Sequence, residues 1–125
     1  MHANVCLMEL GQRKGGTMLY ISVEDFYEKV SSFSTLSRQE EIECAHRMKN
    51  GDALARERLI CSYLPMVASH VKHASPRLQS LGFLLYCHRA LEKAVDSFDF
   101  FQNSEPFTHR LNWSLRQAAA AYIVR

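Results

Sequence analysis

Phe107-Thr108-His109-Arg110-Leu111-Asn112-Trp113-Ser114-Leu115-Arg116-Gln117-Ala118-Ala119-Ala120-Ala121-Tyr122 repeats Phe107, Leu111, Leu115, Ala118 and Tyr122 at intervals of three and four residues. That spacing gathers one apolar stripe on a helix and turns it toward a core. At about 100° per residue, Trp113 projects from nearly the opposite side, among His109, Arg110, Arg116 and Gln117. An indole carries a large apolar area, and leaving it in water costs free energy. Among cationic and amide side chains it forms a flat platform for an unpaired nucleic-acid base, with cations beside it to hold phosphate. An exposed or partner-covered indole without any nucleic-acid role fits the same pattern.

Upstream, the same period recurs. Residues 81–99 read as a helix with Leu84, His88, Leu91, Val95 and Phe98 on its inner stripe. Residues 101–106, with Asn103, Ser104 and Glu105, are a turn, and Ser75-Pro76 marks a loop. Before that loop, Leu59, Tyr63, Met66 or Val67, and Val71 repeat along one side of a helix capped by Asp52. Pro65 falls inside this run and predicts a kink or a fresh helix start near Leu64. Ser37-Arg38-Gln39-Glu40 is a capping box, and Gly51 ends the helix it opens. That helix is expected to bury Ile42, Ala45 and Met48, leaving Glu40, Glu41 and Glu43 as a solvated face. Val23, Phe26, Tyr27 and Val30 form a short amphipathic helix opened by Ser22.

These elements predict an all-α fold, a compact bundle of about four main helices. Its expected core is Leu59, Tyr63, Val67, Leu84, Leu91, Val95, Phe98, Leu111 and Leu115. No strand is needed. Residues 1–17 are polar, glycine-bearing and without sustained periodicity, which predicts a disordered leader. The codons of Lys14-Gly15-Gly16 can spell a purine-rich ribosome-binding sequence, so Met18 is the expected natural start. Residues 18–35 then supply the short helix and a linker, and residues 36–125 the main helical domain.

A length of 125 residues suits one domain with a single core. The apolar share of 47% and charged share of 22% are ordinary for a water-soluble chain. No run is long and apolar enough for a membrane span or signal peptide, so a cytoplasmic location is expected. A net charge of +2 requires any nucleic-acid binding to depend on a local patch. Cys6, Cys44, Cys61 and Cys87 contain no Cys-x-x-Cys pair, and reduced thiols acting as small hydrophobes are expected. His70 and His73 lie one turn apart, but no carboxylate or cysteine stands near them in sequence, so no metal or other cofactor is expected. The chain carries no phosphate loop, nucleophile elbow or His-Glu-x-x-His motif, and no enzymatic activity is expected.

The order of four blocks resembles one known family. Leu36-Ser37-Arg38-Gln39-Glu40-Glu41-Ile42-Glu43 through Lys49-Asn50-Gly51-Asp52 is similar to the start of the core shared by housekeeping-type bacterial RNA polymerase sigma factors. Ala55-Arg56-Glu57-Arg58-Leu59-Ile60, followed by Tyr63-Leu64-Pro65-Met66-Val67, resembles that family's next segment. Ala94, Val95, Phe98 and Asp99 resemble the stretch ending in the family's Lys-Phe-Asp. Phe107, Thr108, Trp113, Leu115, Arg116 and Gln117 resemble the promoter-melting segment Phe-Ser-Thr-Tyr-Ala-x-Trp-Trp-Ile-Arg-Gln.

The resemblance implies a helical domain that binds the clamp coiled coil of core RNA polymerase and the single-stranded −10 promoter element. Its DNA-facing residues would be His109, Arg110, Trp113, Arg116 and Gln117. The family's clamp-binding segment, Asp-Leu-Ile-Gln-Glu-Gly-Asn, falls on Gly82-Phe83-Leu84-Leu85-Tyr86-Cys87-His88. The polymerase-facing residues would therefore be Leu85, Tyr86, His88, Arg89 and Lys93. An anti-sigma protein is a further partner of the kind the resemblance implies. The chain departs from the pattern at several places, among them Ala118 to Ala121, where family members carry polar DNA-contacting side chains. Ser114 replaces the second tryptophan, Arg110 replaces the tyrosine, and the acids and amides of the clamp segment are gone. Two readings follow: a divergent or truncated sigma factor, or a sigma-like interaction module or transcription regulator without promoter-binding activity.

Overall fold

The computed structural model describes residues 20–101 and 105–124, which form five α-helices and one 3₁₀ turn. The expectations for residues 1–17, including the start at Met18, lie outside the described residues. In chain order the helices are α1 (Val23–Val30), α2 (Arg38–Lys49), α3 (Ala53–Lys72), α4 (Leu81–Ser97) and α5 (Phe107–Val124), with the 3₁₀ turn Pro76–Leu78 between α3 and α4. Every described regular element is helical, as the period of the apolar residues requires.

The helix starts are set by local chemistry. The Ser22 side chain accepts from the Asp25 amide at 3.0 Å. At α2, the Glu40 amide donates to Ser37 Oγ at 3.1 Å and the Ser37 amide to Glu40 Oε1 at 2.9 Å, completing the expected capping box. Those hydrogen bonds favour the charged carboxylate and lower the Glu40 pKa. Gly51 ends α2 at φ 90°, a left-handed conformation. The Asp52 amide reaches the Arg47 carbonyl (2.9 Å) and the Gly51 amide the Met48 carbonyl (3.0 Å), the paired bonds of a Schellman end. Asp52 Oδ1 then caps α3 by accepting from the Leu54 and Ala55 amides at 3.0 and 3.1 Å.

α3 is the central element and packs against α1, α2 and α4. Residues 59–64 are all buried, so this helix has no solvent face at its middle. The fresh helix start expected near Leu64 does not occur: α3 is a single helix of 20 residues with Pro65 inside. A mid-helix proline lacks an N–H for the carbonyl four residues back and costs about 3 kcal/mol. Burial around it offsets that cost. Ser62, also buried, donates its hydroxyl to the Leu59 carbonyl at 2.7 Å.

α2 meets α3 in a different phase from the expected one. Cys44 and Ala45 are buried, whereas Ile42 and Met48 are only half-buried. Glu41, expected on the solvated face, is 9% exposed and accepts a hydrogen bond from the Tyr63 hydroxyl of α3. A buried carboxylate is tolerated when such a donor satisfies it. This bond and burial together raise the Tyr63 pKa, burial contributing most.

α4 buries Phe83, Leu84, Cys87, Leu91, Ala94 and Val95. It ends at Ser97, two residues before the expected Asp99, because Phe98 adopts an extended backbone (φ −83°, ψ 137°). That turn sends Phe100 inside at 1% exposure and leaves the expected core residue Phe98 half-buried. Phe98, Phe100 and Phe107 form a ring cluster with centroids 4.8–5.3 Å apart, and Tyr63 joins it 4.7 Å from Phe107. Arg56 of α3 holds Asp96 of α4 through two hydrogen bonds of 2.7 and 2.9 Å. Cys44 and Cys87 are buried free thiols, as expected; Cys61 is disulfide-bonded, contrary to the expectation of reduced cysteines.

α4 and α5 form an antiparallel pair with the most extensive helix–helix contact among the described elements. Phe107, Leu111, Leu115 and Ala118 are buried along it. At its far end Tyr122 packs on Phe83 (5.4 Å) and Tyr86 (5.2 Å), and its hydroxyl lies 3.3 Å from Ser80 Oγ. A Cβ on Gly82 would stand 2.9 Å from that hydroxyl, so any larger residue there would make the Tyr122 side chain shift.

Leu115→Ala and Leu91→Ala, both at 0% exposure, should each cost ~2–5 kcal/mol in urea unfolding. A loss of a few tenths would show that the inner stripes of α4 and α5 are misassigned.

Candidate functional site

Antiparallel packing of α4 and α5 leaves an open groove of about 820 Å³ along their outer side. From α4 it is lined by Leu85, Tyr86, His88, Arg89 and Lys93, and from α5 by Arg110, Trp113 and Gln117. The small side chains of its lining are Ala90 and Ala94 of α4 and Ala118 and Ala121 of α5. The two sets of residues that the sequence placed on separate surfaces thus line one groove. Of the expected residues, His109 and Arg116 are not part of it.

Helical phase explains the division. Arg110 and Gln117 lie to one side of Trp113 at about 60° and 40°, while Arg116 and His109 lie at similar angles to the other. Arg116 acts electrostatically on His70 of α3, lowering its pKa together with the larger effect of burial. His109 stands 3.6 Å from Glu105 at the start of α5, with both side chains exposed.

Trp113 is 58% exposed, as its position opposite the stripe predicts. Leu85 (51%) and Tyr86 (39%) are the other large apolar side chains open to solvent in the groove. The Arg110 guanidinium lies 5.7 Å from the Trp113 ring centroid, within cation–π range. Arg89 and Lys93 take part in none of the ion pairs among the described residues. Three cations, Arg89, Lys93 and Arg110, therefore line the groove against the single carboxylate of Glu92.

His88 is engaged within the fold. Its Nδ1 lies 2.8 Å from the Tyr20 hydroxyl, and the two rings stack at 5.9 Å and 13°. Burial lowers the His88 pKa, opposed by Glu92, and raises that of Tyr20. A protonated tyrosine donating to a neutral imidazole satisfies both shifts. Tyr20 also packs edge-on against Phe26 (4.8 Å) and lines one part of the groove. Sequence reasoning missed Tyr20, because only the tertiary fold brings it to a residue 68 positions away.

Among the described residues, no group of three or more His, Cys, Asp or Glu is arranged to hold a metal ion. No described helix is long and apolar enough to cross a membrane. The groove presents the exposed rings of Tyr86 and Trp113 and the cations of Arg89 and Lys93, which have no ion-pair partner among the described residues.

The architecture is all-helical among the described residues, with one groove along the α4–α5 pair. Over 78% of its length the chain is 33% identical to the RNA polymerase sigma factor SigA of Clostridium acetobutylicum. It spans 27% of that protein, about a quarter. No family model and no solved structure matches the chain. The similarity supports a sigma-factor-like relationship over most of the chain.

Because the His88 pKa is lowered, the folded state binds a proton less readily than the unfolded state does. Its contribution to stability is present above the ordinary value of 6.5 and is lost as pH falls through the folded pKa. Wild type should lose stability below pH 6.5 more steeply than His88→Gln, measured by urea midpoints across that range. Parallel pH profiles would remove the Tyr20–His88 contact from the account.

Proposed function

We propose that this chain acts in transcription initiation as a divergent sigma-like module in the cytoplasm, contacting core RNA polymerase and the single-stranded −10 promoter element. The observation that carries this reading is Trp113. It stands exposed on α5 with Arg110 over its ring, inside a segment whose order of residues resembles the promoter-melting block. Only an unpaired base presents a face for stacking, so the preferred ligand is single-stranded rather than duplex. Arg110 and Gln117 flank the ring on the groove side; under this reading His109 and Arg116, on the other flank, would meet backbone phosphate.

Leu85, Tyr86, His88, Arg89 and Lys93 supply the polymerase-facing side under the same reading. Their chemistry is altered from the acids and amides the family offers to a basic partner, so the affinity for core enzyme is weak. A second reading, a sigma-like module whose groove meets a protein and not a promoter, is favoured by one observation. Leu85, Tyr86 and Trp113 open into the same groove, which is the arrangement of a protein hot spot.

An anisotropy titration with an AT-rich −10-like oligonucleotide tests the DNA reading. The single strand should bind better than the matching duplex, modestly and with salt sensitivity. Trp113→Ala should remove ~1–3 kcal/mol of binding while the domain stays folded, and Arg116→Ala should flatten the salt dependence. Absence of single-strand binding at low salt, or normal binding by Trp113→Ala, would reject DNA reading.

For polymerase, Tyr86→Glu should strengthen pull-down of the core enzyme by restoring an acid to the clamp segment. Strong wild-type pull-down that this substitution weakens would overturn the assignment of the segment.

A further inference from the structure

The groove between α4 and α5 carries charge of the wrong sign for a basic partner. Arg89, Lys93 and Arg110 line it, Glu92 is the lone acid, and neither Arg89 nor Lys93 has an ion-pair partner among the described residues. Leu85, Tyr86, Arg89 and Lys93 follow one another along the exposed side of α4 over about 12 Å, or two turns. Across from them, Trp113 and Gln117 are one turn apart on α5. Exposed Leu85, Tyr86 and Trp113 offer apolar area to an apolar stripe, and the unpaired cations beside them offer partners to carboxylates.

Single-stranded nucleic acid fits this surface less well. Successive bases need a series of free ring faces. Tyr86 is packed edge-on against Tyr122, Tyr20 is stacked on His88, and the alanines of the lining stack nothing. Trp113, which carries the Arg110 guanidinium over its ring but stacks on no other ring among the described residues, serves a single base.

We propose that the α4–α5 groove seats an acidic amphipathic helix of a protein partner, whose apolar stripe packs on Leu85, Tyr86 and Trp113 while its carboxylates pair with Arg89, Lys93 and Arg110. This deepens the interaction-module reading and rests on it. Bound there, the helix covers Trp113 and excludes single-stranded DNA from the same ring, so the two ligands compete.

The chain contains one tryptophan, so its intrinsic fluorescence reports on the groove. The probes are a synthetic helix of about 20 residues, ~30 Å long, with leucines at i, i+4 and i+7 flanked by glutamates, and the same helix with lysines for the glutamates. The acidic helix should shift Trp113 emission to the blue saturably, at least ~tenfold more tightly than the basic one. Arg89→Glu combined with Lys93→Glu should reverse that preference, with folding checked by circular dichroism. Any −10-like single strand that binds at Trp113 should displace the acidic helix. Equal binding of both helices, or no spectral shift with either, would overturn the proposal. If the single strand alone binds, the groove inference fails while DNA reading stands. If the acidic helix alone binds, DNA reading fails and the inference stands.

Discussion

A helix with no solvent face needs neighbours on every side, and the middle of α3 is such a helix. Residues 59–64 are buried without interruption. α1, α2 and α4 supply the cover, and α5 in turn packs against α4. Phe26 and Val30 of α1, Cys44 and Ala45 of α2, and Leu84, Leu91 and Val95 of α4 are core residues because α3 must be enclosed. The buried Glu41–Tyr63 bond belongs to the same enclosure: once α2 lies along α3, a carboxylate in the contact needs a donor, and the tyrosine hydroxyl supplies it. With one side of α4 committed to α3 and another to α5, its Leu85–Tyr86 edge is left beside the exposed ring of α5, and the groove follows.

Features set by a few adjacent residues were legible in the sequence. The Ser37–Glu40 box, the Asp52 cap and the Gly51 stop involve groups within five positions of one another, and each has the expected geometry. The exposure of Trp113 was legible for the same reason, since helical phase alone places it opposite Leu111 and Leu115. The helix start expected near Pro65 is absent because the proline's local preference is overridden by packing that a window of sequence does not contain. Glu41 was misread because a carboxylate beside two others looks solvated until a partner 22 residues away is known. Phe100 took the place expected of Phe98 because the chain turns extended at the end of α4.

The candidate site was legible as two lists of residues but not as one surface. Which face of α4 lies beside Trp113 depends on the rotation of one helix about its axis relative to the other, and that rotation is fixed by core residues on the far sides of both. The sequence placed His109 and Arg116 with Trp113 because all three avoid the apolar stripe. The structure separates them, since a helix ridge has two flanks and only one borders α4. Resemblance to a sigma factor bears on ancestry and fold; the chemistry of the groove is this chain's own, and function follows the groove.

Pro65 has a consequence for how the fold assembles. A helix carrying an interior proline is a poor nucleus in isolation, since nucleation is already unfavourable and the missing bond weakens propagation through its middle. α3 therefore acquires its continuity from the helices that enclose it and not before them. Most of the extensive helix pairs are neighbours along the chain, α2 with α3, α3 with α4, and α4 with α5, so the contacts that complete it are close in sequence and quick to find. The central element is thus the one whose order is most borrowed, and the antiparallel α4–α5 pair is a hairpin able to form without it.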